Sequence, residues 1–192
     1  MAKNKGQARV PKVTSVPLNI PRQEPLQEKS EFYFYPYYPK WINTTDTFYK
    51  KNGFTNRLKD ADEFSNNITE ITTVILPALY KDFSNVFSLS PQYRHCHPVP
   101  QDKRKLVEAV SREIHGSDIQ SINFEELNEN RVEWWYLGFK NNLRLVGLYN
   151  KANSCFYPMF IDHHHLIHES QYYNQSDYGK YDYCPLVSYN GG

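Results

Sequence analysis

Apolar residues recur at helical spacing from Phe64 through Ile68, Ile71 and Ile75 to Leu79, so an amphipathic helix is predicted to begin at Asp60. Asp60 and Glu63 match the aspartate form of a capping box, which satisfies the first free amides. Pro77 is expected to end or kink this helix, and the Thr72 to Ile75 stretch lowers its intrinsic propensity, so packing must stabilise it. "NVFSLSPQYRHCHPVP" then reads as a strand followed by a turn, punctuated by Pro91, Pro98 and Pro100. "QDKRKLVEAVSREIHG" predicts a second helix. Leu106, Val107, Val110 and Ile114 form its apolar face, Lys103, Arg104, Lys105 and Arg112 dress the other, and Gly116 is placed to cap the end. A short period at Ile119, Ile122, Phe124 and Leu127 reads as a further short helix or a packed turn.

The period then drops to two. "VEWWYLGFK" (132–140), "LRLVGLY" (143–149) and "SCFYPMFID" (154–162) are strand-length runs joined by loops suited to antiparallel neighbours. A sheet needs a covered face, and the preceding helices are the natural cover. The fold class expected is α+β, an antiparallel β-meander covered by helices, with its core from about Val86 to His168. Ahead of it come an extended arm (1–30) and a segment (31–85) that holds an aromatic stretch and the first helix. Residues 169–192 form a Tyr-rich C-terminal tail.

Composition changes this picture in three places. The net charge of +1 is unevenly spread: residues 1–30 hold six basic and two acidic side chains, which leaves −3 for the rest. The arm either lies on phosphate backbone through salt-sensitive contacts or is a solvated, proline-containing tail. "EFYFYPYYPKW" (31–41) crowds seven aromatics into eleven positions. Its two prolines exclude an interior strand, and with Lys40 as the only interleaved base it reads as a hydrophobic strap more than as a base-stacking platform. The three cysteines are an odd number without CxxC spacing, so neither a disulfide framework nor a cysteine-rich zinc site is indicated, and Cys96 and Cys155 read as buried thiols. No apolar run spans a bilayer and the N-terminus lacks an apolar leader, so a cytoplasmic location is expected.

The candidate chemistry gathers at "FIDHHHLIHE" (160–169). Imidazole titrates near neutral pH, so these histidines suit acid/base work or phosphate contact. A metal reading uses His163 and His165 on one side of a continuing strand, with Asp162 or His168, and the "HCH" at 95–97 as a further source of ligands. A polar strand end without chemistry is the third reading, and His95 and His97 read more naturally as turn residues. No Gly-rich phosphate loop, GxSxG or HExxH occurs, which removes the usual nucleotide-dependent transferases, α/β hydrolases and zincins.

"LRLVGLYNKANSCFYPMFIDHHHLIH" joins a strand bearing an arginine, a polar hairpin loop, a Phe-Tyr-x-x-Phe strand and an Asp/His terminus. With the elements before it, residues 86–168 resemble the RelE/YoeB/ParE toxin superfamily, in a RelE-like branch of compact proteins. The resemblance implies a toxin-type endoribonuclease that cuts RNA, as ribosome-bound mRNA in that family, without metal or other cofactor and under the control of a cognate antitoxin. The ribose 2′-hydroxyl attacks phosphorus, which calls for a cation fixed beside a titratable group. The resemblance assigns Arg144 as the phosphate-clamping strand arginine, one of His163, His164 and His165 as the acid, and Glu133 as a base. Lys103, Arg104, Arg112 and Tyr172 are the expected RNA contacts. This sequence departs from the family in its acidic balance after residue 30 and in Pro158, which demands a bulge or rearranged edge. The rival readings are a non-enzymatic protein-interaction module and a metal-dependent hydrolase.

Overall fold

A computed structural model describes residues 31–124, 127, 131–139, 142–168 and 178–190. The basic arm, Tyr172 and most of the Tyr-rich tail lie outside the described residues.

Five strands form one sheet: β1 (Tyr33–Phe34), β2 (His97–Pro98), β3 (Val132–Leu137), β4 (Arg144–Asn150) and β5 (Cys155–Asp162), in the spatial order β1-β5-β4-β3-β2. Strands β3, β4 and β5 follow one another antiparallel, as the period-two runs require. β1 joins β5 in parallel, so the sheet is mixed, and the expectation of an antiparallel meander alone is corrected. The cause lies in the aromatic strap. Its Tyr33 and Tyr35 amides bond to Ser154 and Phe156 carbonyls, and Pro36 and Pro39 then keep the strand from lengthening.

Alternation along β3 sends neighbouring tryptophans to opposite faces. Trp134 and Tyr136, with Val146, Leu148 and Phe160, pack on α4 (Gln101–His115) through Val107, Val110 and Ile114. Trp135 and Leu137, with Leu145, Tyr149, Phe156 and Ile161, face the α2 (Ala61–Glu70) and α3 (Leu76–Val86) pair through Ile71, Ile75, Leu79 and Val86. The sheet is thus covered on both sides in an α+β fold, and Phe32 of the strap completes the second core beside Phe83 and Phe87. Two further short α-helices are α1 (Tyr49–Asn52) and α5 (Pro185–Asn190).

Asp60 caps α2 by accepting from the Glu63 amide at 2.9 Å. The helix does not stop at Pro77. A π-helical turn over Ile71–Ile75 precedes α3, and Pro77 falls in its first turn, where a missing amide costs little. The strand expected around Val86 is corrected as well: Leu79, Phe83 and Val86 continue the helical stripe, and α3 ends only there. Gly116 closes α4 at φ +58, with its amide on the Arg112 carbonyl.

Pro158 is accommodated by a bulge. The β4–β5 register shifts between Val146, opposite Phe160, and Gly147, opposite Pro158. Gly147 is required at this point, because a Cβ there would collide with the Tyr157 carbonyl and the Phe156 ring. At one end of the sheet β3 and β5 finish and β4 starts, and His97 of β2 lies opposite Tyr136. The candidate chemistry collects at this end.

Candidate functional site

Arg144 opens β4 and Asp162 closes β5, and the two are register partners. Asp162 is fully buried and organises the chain that follows. Its Oδ1 accepts from the amides of His164 (3.3 Å) and Leu166 (3.0 Å), and its Oδ2 from Ile167 (3.0 Å). Burial pushes the carboxyl up, and the three amide bonds pull it back. With the chain wrapped around this carboxylate, His165 sits at the turn's apex in the left-handed region, φ +59, a conformation that non-glycine residues adopt only when their surroundings enforce it.

The consecutive histidines therefore part company. His163 is buried and turns to α2, where Asn67 Nδ2 donates to its Nδ1 at 2.9 Å. Burial, reinforced by His164, lowers its pKa to about 3, so it is neutral at physiological pH. His164 is also buried: its Nε2–H donates to the Arg57 carbonyl at 2.7 Å and its ring stacks on Tyr178 at 4.2 Å. Both are tied into the structure. Of the three, His165 alone stays half-exposed, with its pKa lowered to about 4 by burial and then by the charges of Arg144, His168, His95 and His97.

Those neighbours define the site. His97 from β2 and His168 from the loop after β5 bring their rings to 5.8 Å, and His165 and His168 to 6.2 Å. His95, its pKa lowered by burial and then by Arg144, completes a set of four imidazoles. His95, His97 and His165 are half-buried, and His168 is exposed. Arg144 is buried near them, at 7% exposure, with Nη1 donating to the Leu143 carbonyl at 2.7 Å. Burial lowers its pKa and the Asp162 carboxylate opposes this. The guanidinium thus acts as a fixed charge under the site more than as an open clamp. Its stem lies against Gly138, where a Cβ would overlap it.

The remaining predicted residues are dispersed. Glu133 accepts from Lys151 Nζ at 2.7 Å, and at ~3.3 Å per strand residue it stands roughly 17 Å from Arg144. Arg112 is over the Phe124 ring at 4.6 Å, where it covers the core. Arg104 is half-buried. Lys103 is close enough to act on His168, which places it beside the site. The alternative metal set does not assemble: Asp162 is spent on amides, His163 faces Asn67, and no three His, Cys, Asp or Glu side chains among the described residues are grouped to hold a metal ion. The cysteines are free and buried, and burial pushes Cys96 up to about 11. The residues that sequence reasoning undervalued are His95, His97 and His168. The "HCH" run was the available signal, and only the short β2 pairing brings it to the end of β5.

Residues 37–191 match the family model described as "Uncharacterised protein UU032". A relative of that description from Ureaplasma parvum serovar 3 is 34% identical over 155 residues, which cover 80% of this chain and 79% of the relative. The chain belongs to the UU032 family. This corrects the resemblance to the RelE/YoeB/ParE superfamily, to which no family match is found. The motifs behind that resemblance amount to an arginine on an alternating hairpin, a pattern common to antiparallel pairs. The UU032 match also takes in the end of the strap, from Tyr37, and α2 and α3, which pack on one face of the sheet. No solved structure matches. Among the described residues, no helix is long and apolar enough to cross a membrane.

Proposed function

We propose that this UU032-family protein carries a phosphate-directed site at the Arg144 end of its sheet and acts as a metal-independent, ribonuclease-type phosphodiesterase. The observation that supports this reading most is the gathering of His95 and His97 from one segment with His165 and His168 from another, near the buried Arg144, whose charge acts on His95, His165 and His168. Neutral imidazoles accept protons, and an imidazole charged by a bound anion returns one. In the reaction proposed, His165 takes the proton of a ribose 2′-hydroxyl, whose oxygen bonds to phosphorus. The P–O5′ bond breaks, and a protonated His168 gives its proton to the leaving oxygen. Products are a 2′,3′-cyclic phosphate and a 5′-hydroxyl. Arg144 contributes fixed positive potential to the developing dianion.

The test is incubation of the purified full chain with a labelled single-stranded RNA in the presence of a chelator. Cleavage with cyclic-phosphate ends, lost in both His165→Ala and His168→Ala, is the expected result. No cleavage by the wild type, or equal cleavage by both variants, rejects the reading. A second reading, a non-enzymatic interaction module, is favoured by the exposed rings of Tyr33, Tyr35 and Tyr37 along the β1 edge, at 52%, 50% and 61% exposure. It predicts uncut RNA and a partner lost on replacing Tyr35 and Tyr37.

A further inference from the structure

One buried hydroxyl at the same end of the sheet has no partner among the described residues. Tyr136 in β3 is 2% exposed, and its hydroxyl makes no hydrogen bond among the described residues. Buried hydroxyls are nearly always paired, so an orphan is a standing cost that folding alone does not explain. Its surroundings indicate where it points. The Tyr136 ring meets His97 edge-on at 5.4 Å, His97 in turn meets His168 at 5.8 Å, and the carboxylates of Asp162 and of Asp102 in the first turn of α4 both act on the phenol. The Tyr136 ring is thus next to the imidazole cluster and within electrostatic reach of the N-terminal turn of a fifteen-residue helix, whose amides and Lys103 favour an anion while the Asp102 and Asp162 carboxylates oppose one. Burial keeps the phenol protonated, a donor at any physiological pH.

We infer that the Tyr136 hydroxyl is a substrate-binding donor, hydrogen-bonded to a non-bridging phosphate oxygen of the nucleotide held by His97 and His168. The inference rests on the phosphate-directed reading above and adds a specific contact to it. A donor left unpaired is satisfied when an acceptor arrives, so its binding contribution is not offset by a bond broken in the free protein.

The experiment compares wild type and Tyr136→Phe by thermal unfolding and by titration with uridine 3′-monophosphate followed by NMR of the histidine ring protons. The expected result is an unchanged or higher Tm, because an orphan hydroxyl is removed, together with about tenfold weaker nucleotide binding. Equal binding by the two proteins overturns the inference and leaves the phosphate site standing. A Tm lower by several degrees also overturns it, since the hydroxyl would then be partnered in the free protein. Failure of the wild type to bind the nucleotide rejects both the inference and the reading on which it rests.

Discussion

Arg144 and Asp162 stand directly opposite each other on β4 and β5, both buried, at 7% and 0% exposure. The carboxylate is the structural member of this pair. It gathers three amides of the turn that presents His165, and it supports the charge of the guanidinium across the strand. Asp162→Ala removes all of these at once and leaves a buried cation with less compensation, so a loss of about 3–5 kcal/mol is expected in urea denaturation. A loss below about 1 kcal/mol would show that water replaces the carboxylate without penalty.

His165→Ala and His163→Ala separate chemistry from architecture. His165 is half-exposed at a strained apex, so its removal leaves stability within ~0.5 kcal/mol and lowers RNA cleavage by about 100-fold or more. His163 is buried on Asn67, so its removal costs about 2 kcal/mol while the protein that remains folded keeps its specific activity. Chemical denaturation and initial rates on the same preparations check both outcomes. The reverse pattern would move the site to the α2 side of the sheet.

The period of the apolar positions made α2, α4 and strands β3 to β5 legible in the sequence, because each buries a continuous stripe or face. Three features were not legible for identifiable reasons. β1 is two residues long and owes its parallel pairing to contacts with β5 more than a hundred residues away. Helix α3 runs through a segment whose β-branched and proline content reads as a helix stop or kink; its packing on the sheet carries the helix on to Val86, with a π turn before Pro77 and a break in helical geometry at Asp82. Arg144 and His165 were legible as candidates, but the sharing of roles among three consecutive histidines was not. It depends on where the Asp162 carboxylate draws the backbone, a tertiary fact with no period of its own.

Gly147 tests the bulge. Opposite Pro158, its missing side chain lets β5 shift register, and an added methyl would meet backbone and the Phe156 ring with no flexible end to yield. Gly147→Ala is expected to destabilise the fold by about 3 kcal/mol or more, read as a fall in the urea midpoint at unchanged slope. Gly116→Ala, where nothing lies within 4 Å, is the control, and it costs ~1 kcal/mol through its positive φ alone.

Two imidazoles held neutral fix the direction of the pH dependence. In the unfolded chain a histidine takes up a proton near pH 6.5, whereas in the fold His165 does so at about 4 and His163 at about 3. Above about pH 7 neither state binds these protons and stability is complete. As pH falls below about 6.5 the unfolded chain binds protons that the fold refuses, so stability declines with acidification down to those lower values. Buried His163 contributes up to ~1.4 kcal/mol per pH unit, and half-exposed His165 contributes less because solvent screens it. Asp162 works in the opposite sense, since burial raises its carboxyl and the fold accepts that proton sooner than the unfolded chain does, which offsets part of the loss near the acid end. Urea midpoints measured from pH 7.5 to pH 5 are therefore expected to fall steadily, with a shallower fall in His163→Leu. A midpoint that holds constant over that range would mean that both rings titrate normally, and the desolvated placement of His163 between α2 and the sheet would then be wrong.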